Sequence, residues 1–464
     1  MHSKPLSPTP LYAAIILALL GGNAFAGGLG ITIQSGVGGG NASTGHAMAE
    51  DVSAMFYNPA LLFSMEGGRQ LNTGFSVVNT DVEVTNTGST IPSAAGGFPV
   101  LGNNVGEPGG AGVTPSFFYR GEPIKGNFVY GVGVNVPAGV HTEYEKDSFA
   151  RYEALESSLA TININPAIAW RASDKFDFGA GLNLQVGQAT LTRAIDSYLV
   201  CQSFAGAGAI DAATCGALGL NSASNTATDG KVEIEADGVA YGANIGAAYR
   251  PDDQTTLSFG YRSKVKYDLE GEADFSHSAN LSALGAANLA AAGLGDQKAT
   301  AELTIPASAS LSAARKISDK LTVYGDVTWT EWSSLPELRI KFPETNSSDS
   351  VTTFNWEDTV RFGAGMTYQL SEKTRLRTGI AQDPTPTPSA NNRTPRAPSS
   401  DNLWLSAGVS HQINKHFSID AGLSLVKPSA ASINYTSPGS SDYTTRADVD
   451  SDVWVGAASL NYRF

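Results

Sequence analysis

The stretch FDFGAGLNLQVG, residues 176–187, alternates strictly between two kinds of side chain. Its even positions are apolar: Phe176, Phe178, Ala180, Leu182, Leu184 and Val186. Its odd positions are polar or small: Asp177, Gly179, Gly181, Asn183, Gln185 and Gly187. A two-residue period indicates a β-strand whose two faces meet different surroundings. A sandwich in water would share this period, whereas a barrel in lipid turns its apolar face outward and its polar face towards the lumen.

The lengths of the connections decide between these two folds. Similar segments begin near Gln70, Gly112, Asn127, Ser158, Lys175, Asp237, Thr255, Thr300, Lys320, Phe354, Thr374, Asn402, His416 and Asp452. Every second connection is short and charged: RGEPIKG, RASDK, RPDDQ, ISDK, LSEK and INKH. The intervening ones, such as 80–111, 192–234 and 269–299, are long and rich in Gly, Ser, Asn and Pro. Short periplasmic turns that alternate with long outer loops are typical of bacterial outer-membrane barrels. The sequence therefore predicts an all-β, transmembrane, antiparallel barrel of about 14 strands, over residues 67–464.

The composition and the last strand agree with this prediction. Only 16% of the residues are charged, 50 are Gly, and the mean hydropathy is −0.10, which is too polar for a bundle of membrane helices. Trp454, Leu460, Tyr462 and Phe464 share one parity, and the last two would lie in an aromatic girdle at the lower lipid interface. A net charge of −14 argues against nucleic acid as a partner, because a phosphate-binding surface must be basic.

The N-terminal part of the chain predicts export and a plug. Lys4, the apolar run of residues 11–20 and the sequence Ala24-Phe25-Ala26 have the order of a secretory signal peptide, which would span residues 1–26. Residues 27–66 are Gly-rich and do not alternate. This segment is too short for an independent domain, and irregular backbone inside a barrel can find polar partners. We therefore expect residues 27–66 to form a hatch in the lumen, in a multi-pass protein of the outer membrane.

The residues that could bind metal or perform catalysis give little sign of either. Cys201 and Cys215 lie close together in one outer loop, and in an oxidising compartment they are expected to form a disulfide. The histidines show no metal-ligand spacing. His411 lies among serines but has no third group to complete a catalytic set. We expect no metal, no cofactor and no enzymatic activity.

Four stretches carry a resemblance to a known family. They are the end of the predicted hatch, Asn58-Pro59-Ala60-Leu61, and the segments FVYGVGVNVPAGVHTEY (128–144), EWSSLPELR (331–339) and WLSAGVSHQINKHFSIDAGLS (404–424). With them the whole exported part of the chain resembles the long-chain fatty-acid outer-membrane transporters of the FadL type, which include aromatic-hydrocarbon transporters. The resemblance implies fourteen strands, an N-terminal hatch and a ligand groove between outer loops three and four. It also implies a tighter site above the hatch and lateral exit at a kink in strand three.

The resemblance also suggests which residues contact a ligand. Arg193 continues the lumenal parity of Asn183 and Gln185, and the family places a ligand-contacting arginine there. A guanidinium can hold a carboxylate with two parallel hydrogen bonds, although a lumenal arginine could equally pair with a carboxylate of the plug or wall. The family's second basic contact, a lysine, has no clear match; Thr352 lies nearest its place, and Arg339 and Lys341 could substitute.

Two further features fit the implied path. Loop four contains Leu281, Leu284 and Leu289, which would line a capture groove with the apolar residues of loop three, or would merely pack against them. Strand three contains Val136-Pro137-Ala138-Gly139, where the proline cannot donate to the sheet. The strand is expected either to kink there or to end early.

The sequence as a whole favours a passive transporter of long-chain fatty acids or related hydrophobic molecules. We expect it to be a monomer that contacts outer-membrane lipid and lipopolysaccharide. The alternatives are a carrier of neutral aromatic or alkane molecules in the same family, in which Arg193 would be structural, and a plugged solute porin or surface receptor. An outer-membrane enzyme is the remaining alternative.

Overall fold

Fourteen antiparallel strands close into a barrel in the part of the chain that the structure, a computed structural model, describes: residues 28–65, 67–345, 347–438 and 442–464. The predicted signal peptide lies outside these residues. Several strands consist of two segments. The strands are β1 Gln70–Asn86, β2 Val105–Gly106 and Gly110–Arg120, β3 Phe128–Asn135 and Gly139–Glu143, β4 Glu156–Arg171, β5 Phe176–Ile195, β6 Gly230–Asp252, β7 Thr255–Arg262 and Val265–Ser276, β8 Gln297–Ile305 and Ser308–Lys316, β9 Leu321–Thr330 and Glu337–Lys341, β10 Ser350–Thr353 and Thr359–Gln369, β11 Thr374–Asp383, β12 Asn402–Gln412, β13 Phe417–Pro428 and Ala431–Thr436, and β14 Thr444–Arg463.

Each strand pairs with the next, and β14 returns to β1 in a continuous ladder from Gln70–Arg463 to Asn86–Ala447. Closure leaves no strand at the edge of the sheet, which is the condition for a sheet to span lipid; the ladder is incomplete only locally, between β2 and β3, among the described residues. The alternation of residues 176–187 has the predicted orientation: Leu182 is 66% exposed on the outside, whereas Asn183 and Gln185 are buried in the lumen. The predicted barrel is therefore confirmed. Most strand starts are close to the predicted ones, but β6 begins at Gly230 rather than near Asp237 and β14 at Thr444 rather than near Asp452.

The hatch lies inside the barrel and approaches its wall closely. It contains the short helices α1, Gly36–Gly40, and α2, Ala54–Tyr57, followed by a 3-10 turn, Pro59–Leu62. Helix α1 packs against β12, β13 and β14, where the backbone of Gly40 meets Gly422 directly and a Cβ atom on Gly422 would overlap it. Glycine on both surfaces is what permits this contact.

The end of the hatch is fixed by its Asn-Pro-Ala sequence. The side chain of Asn58 accepts a hydrogen bond from the amide of Ala60 at 2.9 Å, which caps the 3-10 turn. Its Nδ2 also donates to the carbonyl of Ala247 in β6 at 3.0 Å. Pro59 occupies the first position of the turn, where no amide donor is needed. These three residues therefore attach the end of the hatch to the wall.

Arginines on the barrel wall hold the rest of the hatch. Six of them donate to hatch carbonyls, to a hatch hydroxyl or to a hatch carboxylate: Arg120, Arg171, Arg250, Arg262, Arg361 and Arg377. Arg120, for example, reaches the carbonyls of Leu62 at 2.6 Å and Gly67 at 2.7 Å. Hydrogen bonds from charged donors contribute roughly 1.5–3 kcal/mol each. The hatch is thus attached along most of its length, and these arginines are committed to it.

The long outer loops carry the remaining helices. Loop three, between β5 and β6, contains α3, Ser197–Gly206, and α4, Ala212–Ala217. Loop four, between β7 and β8, contains α5, Ala279–Ser282, and α6, Ala286–Ala291. The predicted Cys201–Cys215 disulfide is confirmed and joins α3 to α4. Among the helices of the described chain, none is long and apolar enough to cross a membrane.

Candidate ligand-binding site

An apolar cavity lies in the lumen above the hatch. Its walls are aliphatic and aromatic side chains from β5 to β10, with Val140 and Leu159 from β3 and β4: Ala189, Leu191, Ile234, Ala236, Leu269, Ala299, Ala301, Leu303, Leu338, Ile340 and Phe354. These positions share the lumenal parity of strands whose lower parts carry Asn and Gln. The lumen therefore changes from polar to apolar with height, and at this level it can exclude water from a hydrocarbon chain.

The floor of this cavity is the first described segment of the hatch. Leu29 is buried in the same cluster as Trp332 and Trp356, whose rings meet edge to face with centroids 5.3 Å apart. Gly28 lies against the Trp332 indole, where an added Cβ would be only 2.6 Å from the ring. Leu29 therefore closes the cavity from below, in a position that requires a glycine next to it.

Arg396 is the charged side chain in the lining of this cavity. It belongs to the outer loop between β11 and β12, which folds into the barrel mouth because Tyr144 donates to the carbonyl of Pro395 at 2.9 Å. The Arg396 guanidinium donates to Ser157 Oγ at 2.9 Å and to the carbonyl of Glu156 at 3.2 Å. Both acceptors are neutral, and within the described residues no carboxylate lies within 4 Å of it. Arg396 was not among the predicted site residues, because nothing in the sequence of its loop indicates that the loop folds inward.

Burial lowers the pKa of Arg396, and the positive charge of Arg193 lowers it further, although the Glu153 carboxylate opposes both effects. Arg193 itself lies two residues beyond Leu191 on the lumenal parity of β5, opposite Val232. No hydrogen bond or ion pair to another described residue holds it, in contrast to the six arginines that bind the hatch. Two guanidinium groups thus lie near one apolar cavity without a carboxylate partner of their own.

Arg339 and Lys341 lie on the other side of the wall. Leu338 and Ile340 face the cavity, so the alternation of β9 turns Arg339 and Lys341 outward. Arg339 is bound there by Glu337 at 2.7 Å and Asp349 at 3.0 Å. The expectation that these two residues replace the family's lysine therefore does not hold, and Arg396 is the cation that the structure brings to the cavity.

The apolar residues of loops three and four pack against each other. Leu281 and Leu289 are buried in a cluster with the Cys201–Cys215 disulfide and Leu220, and Leu284 is half-buried at its edge. In the described loops these leucines form one apolar core shared by loops three and four. This arrangement corresponds to the second of the two expectations, in which the loops pack against each other. A capture groove at this position requires the two loops to separate.

Strand β3 kinks at its proline and then continues. Its ladder with β2 has four pairs and stops at Val134, whereas β4 pairs with both of its segments. Within the described chain, residues 110–116 of β2 consequently have no pairing partner in β3. The carbonyl of Pro137 accepts a hydrogen bond from Ile31 of the hatch at 3.0 Å, and Gly139 donates to Leu29 at 2.9 Å. Val136 packs on Ile31, and Ala138 is fully buried beside it.

A second cavity lies between Trp332, below the cavity floor, and this kink. It is lined by Ile31 and Tyr57 of the hatch, by Trp332 and Pro137, and by polar wall side chains that include Arg262, Arg361 and Asp383. The two cavities and the kink thus follow one another, with Leu29 and Trp332 between the first and the second. This arrangement can accept an elongated apolar molecule from above and pass it towards the β2–β3 gap.

Comparison with known proteins places the chain among outer-membrane transport proteins. Residues 17–464 match the family described as "Outer membrane protein transport protein (OMPP1/FadL/TodX)". A putative outer membrane protein of Neisseria meningitidis serogroup B is 30% identical over 427 residues, covering 90% of each chain. The long-chain fatty acid transport protein of Escherichia coli K12 is 26% identical, covering 97% of each chain.

Solved structures have the same fold. A Pseudomonas aeruginosa FadL homologue superimposes with a TM-score of 0.83 at 24% identity, covering 95% of this chain and all of the other. The Ralstonia pickettii toluene transporter TbuX superimposes with a TM-score of 0.64 at 22% identity, covering 93% of this chain and 99% of the other. At these identities the two likenesses establish the fold alone.

Proposed function

Since the chain belongs to the OMPP1/FadL/TodX family of outer-membrane transporters of hydrophobic molecules, we propose that it takes up long-chain fatty acids. Members of this family are transporters rather than enzymes, and the predicted outer-membrane location is confirmed by the relatives. In this proposal the acyl chain occupies the apolar cavity above the hatch. Movement follows the concentration gradient.

The observation that carries the choice of a fatty acid is the pair Arg193 and Arg396. Both guanidinium groups are near the apolar cavity, and neither has a carboxylate within 4 Å among the described residues. A desolvated cation is costly unless a counter-ion accompanies it. A fatty acid supplies that counter-ion together with the chain that fills the cavity, whereas a neutral hydrocarbon leaves Arg396 with only the more distant charge of Glu153 and leaves Arg193 without an ion pair among the described residues.

Release is proposed to occur sideways at the kink of β3. Leaving the first cavity requires Leu29 to move, and Leu29 is tied to β3 through its backbone. Displacing this segment would open the floor and at the same time remove the strand-like pairing beside Pro137. The acyl chain would then pass the second cavity, along its apolar side formed by Ile31 and Trp332, and reach lipid through the β2–β3 gap. Loops three and four are proposed to admit the ligand from above by separating at their apolar interface.

Binding of a fatty acid and of the primary alcohol with the same chain length tests this proposal. Arg396→Gln and Arg193→Gln each remove one charged donor, worth roughly 1.5–3 kcal/mol, so each should weaken acid binding about ten- to a hundredfold. Binding of the alcohol should change little. Arg339→Gln with Lys341→Gln is the matched control, because it removes two cations from the outer face of the same region and should leave both affinities unchanged.

Equal losses of affinity for the acid and the alcohol would show that the arginines shape the cavity without binding the carboxylate. Unchanged acid binding in both variants would remove the carboxylate site and favour a neutral aromatic or alkane ligand. Steady ion current through the purified protein would contradict a plugged transporter and favour a solute porin.

A further inference from the structure

A polar pocket lies at the periplasmic end of the barrel, away from the cavities described above. The turn between β10 and β11, the turn between β12 and β13, and the end of β14 enclose it. Four cationic side chains line it: Lys373, Arg375, Lys415 and Arg463. We call it the rim pocket.

The cations of the rim pocket have few counter-charges. Glu372 is the acidic residue in its lining. Within the described residues, Lys373, Lys415 and Arg463 have no carboxylate within 4 Å. Four positive groups converge in this way on a chain whose net charge is −14. Their mutual repulsion is relieved by an anion placed between them.

The neutral part of the lining suits an oxyanion. Gln412 and Asn414 carry amide groups and Ser418 carries a hydroxyl, all of which can donate hydrogen bonds, whereas Ser410 already donates to Asp420 and Gln369 to the carbonyls of Ser371 and Thr374. Lysine and arginine supply charge and arginine adds parallel donors, the combination by which proteins bind phosphate. Because several cations face one space, an anion with more than one negative charge fits it better than a single carboxylate.

We propose that the rim pocket binds a phosphate-class oxyanion from the periplasmic side. The anion belongs either to a free phosphate compound or to the head group of a phospholipid in the inner leaflet, since Phe417 at the edge of the pocket lies on the lipid-facing parity. This site is independent of the proposed fatty-acid site, which lies above the hatch.

The rim pocket also borders the attachment of the hatch. Arg375 lies 4.0 Å from Glu50, the hatch carboxylate that Arg377 holds at 2.5 Å. Glu50 is buried, whereas about a third of the Arg375 side chain is exposed towards the pocket. An anion in the pocket competes with Glu50 for Arg375. Occupancy therefore loosens one of the charged contacts of the hatch from the periplasmic side.

Titration of the purified full chain with inorganic phosphate at low ionic strength tests the site by calorimetry. The triple variant Lys373→Gln, Lys415→Gln, Arg463→Gln should bind at least tenfold more weakly than the wild type. The matched control Lys125→Gln, Lys316→Gln, Lys320→Gln removes the same charge from other short periplasmic turns and should bind like the wild type. A wild type without saturable phosphate binding overturns the free-phosphate source. An equal loss in both triple variants overturns the pocket, because it would reflect net charge alone.

Hydrogen exchange of residues 370–376 and 412–418 distinguishes the two sources. Protection by dissolved phosphate identifies a free anion, and protection only in nanodiscs containing phosphatidylglycerol, compared with phosphatidylcholine, identifies a lipid head group. Protection in neither condition overturns the proposal as a whole. When the pocket is saturated, residues 45–53 of the hatch should exchange faster in the wild type than in the triple variant, and unchanged exchange there would refute the link to Glu50.

Discussion

Replacing Asp51 by Asn should stabilise the hatch at neutral pH and have a smaller effect in acid. Asp51 lies in the hatch, where burial, and secondarily the nearby Asp420, raise its pKa from 3.8 to about 6. Its Oδ2 is buried without a hydrogen-bond partner among the described residues, whereas Oδ1 accepts from the amide of Ser53 at 2.7 Å. An asparagine keeps an acceptor for Ser53 and carries no charge, so it avoids the cost of ionisation in this site.

The size of the effect follows from the two pKa values. Above pH 7 the carboxyl is ionised in the folded and the unfolded chain, and the folded state loses about 3 kcal/mol relative to a group that stays at 3.8. The raised pKa means that the folded state binds more protons between these values, so this cost falls as the pH falls through 6. At pH 4.5 it is about 1 kcal/mol, and it vanishes below 3.8.

Hydrogen exchange of hatch residues 45–57 in the purified barrel measures this difference. Asp51→Asn should slow exchange about a hundredfold at pH 7.5, after correction for the intrinsic rates, and less than tenfold at pH 4.5. Asp319→Asn, in an exposed periplasmic turn, is the control and should change neither value. A slowing that is the same at both pH values, or none at pH 7.5, would refute the assignment of an unfavourable buried charge to Asp51.

Two other substitutions test the hatch contact and the loops. Gly422→Ala places a methyl group against the backbone of Gly39 and Gly40, so the hatch should detach at its α1 end. Protease digestion of residues 28–45 should then become faster, while the β-sheet circular dichroism is retained. Resistance equal to that of the wild type would contradict the close contact. The double substitution Cys201→Ser and Cys215→Ser removes a cross-link in loop three, and such a cross-link typically stabilises a fold by about 2–4 kcal/mol. Loop three should become sensitive to proteolysis without loss of the barrel. Unchanged sensitivity would mean that the apolar cluster alone holds the loop.

Strand parity accounted for most of the fold prediction, because successive side chains of each strand point alternately to lipid and to the lumen. Their polarity must match these two surroundings, so the alternation is visible in the sequence. The same rule explains where the prediction of the site was incomplete. Parity placed Arg193 in the lumen. In β9, however, the strand is interrupted between Thr330 and Glu337, so the alternation of the lower segment does not predict which face Arg339 and Lys341 occupy. The upper segment has Leu338 and Ile340 inside, which puts both cations outside.

Arg396 was beyond the reach of sequence patterns for a different reason. It lies in a loop whose path into the barrel depends on single contacts with distant residues, such as the hydrogen bond from Tyr144 to Pro395, which are 251 residues apart. The leucines of loop four illustrate the same limit. Their apolar character was evident, but whether they line a groove or pack on loop three depends on how two loops meet, which no periodicity encodes.

The contact of helix α1 with the last strands has a consequence for the order in which the protein assembles. Gly36 donates to Ser459 across 423 residues of sequence, and α1 packs against β12, β13 and β14. These partners are synthesised last, and contacts between such distant residues form late because closing the intervening chain is entropically costly. The α1 end of the hatch therefore cannot dock until β12, β13 and β14 are in place. The end at Asn58 has its wall contact in β6, so the hatch can be held at one end while its α1 end waits for the last strands.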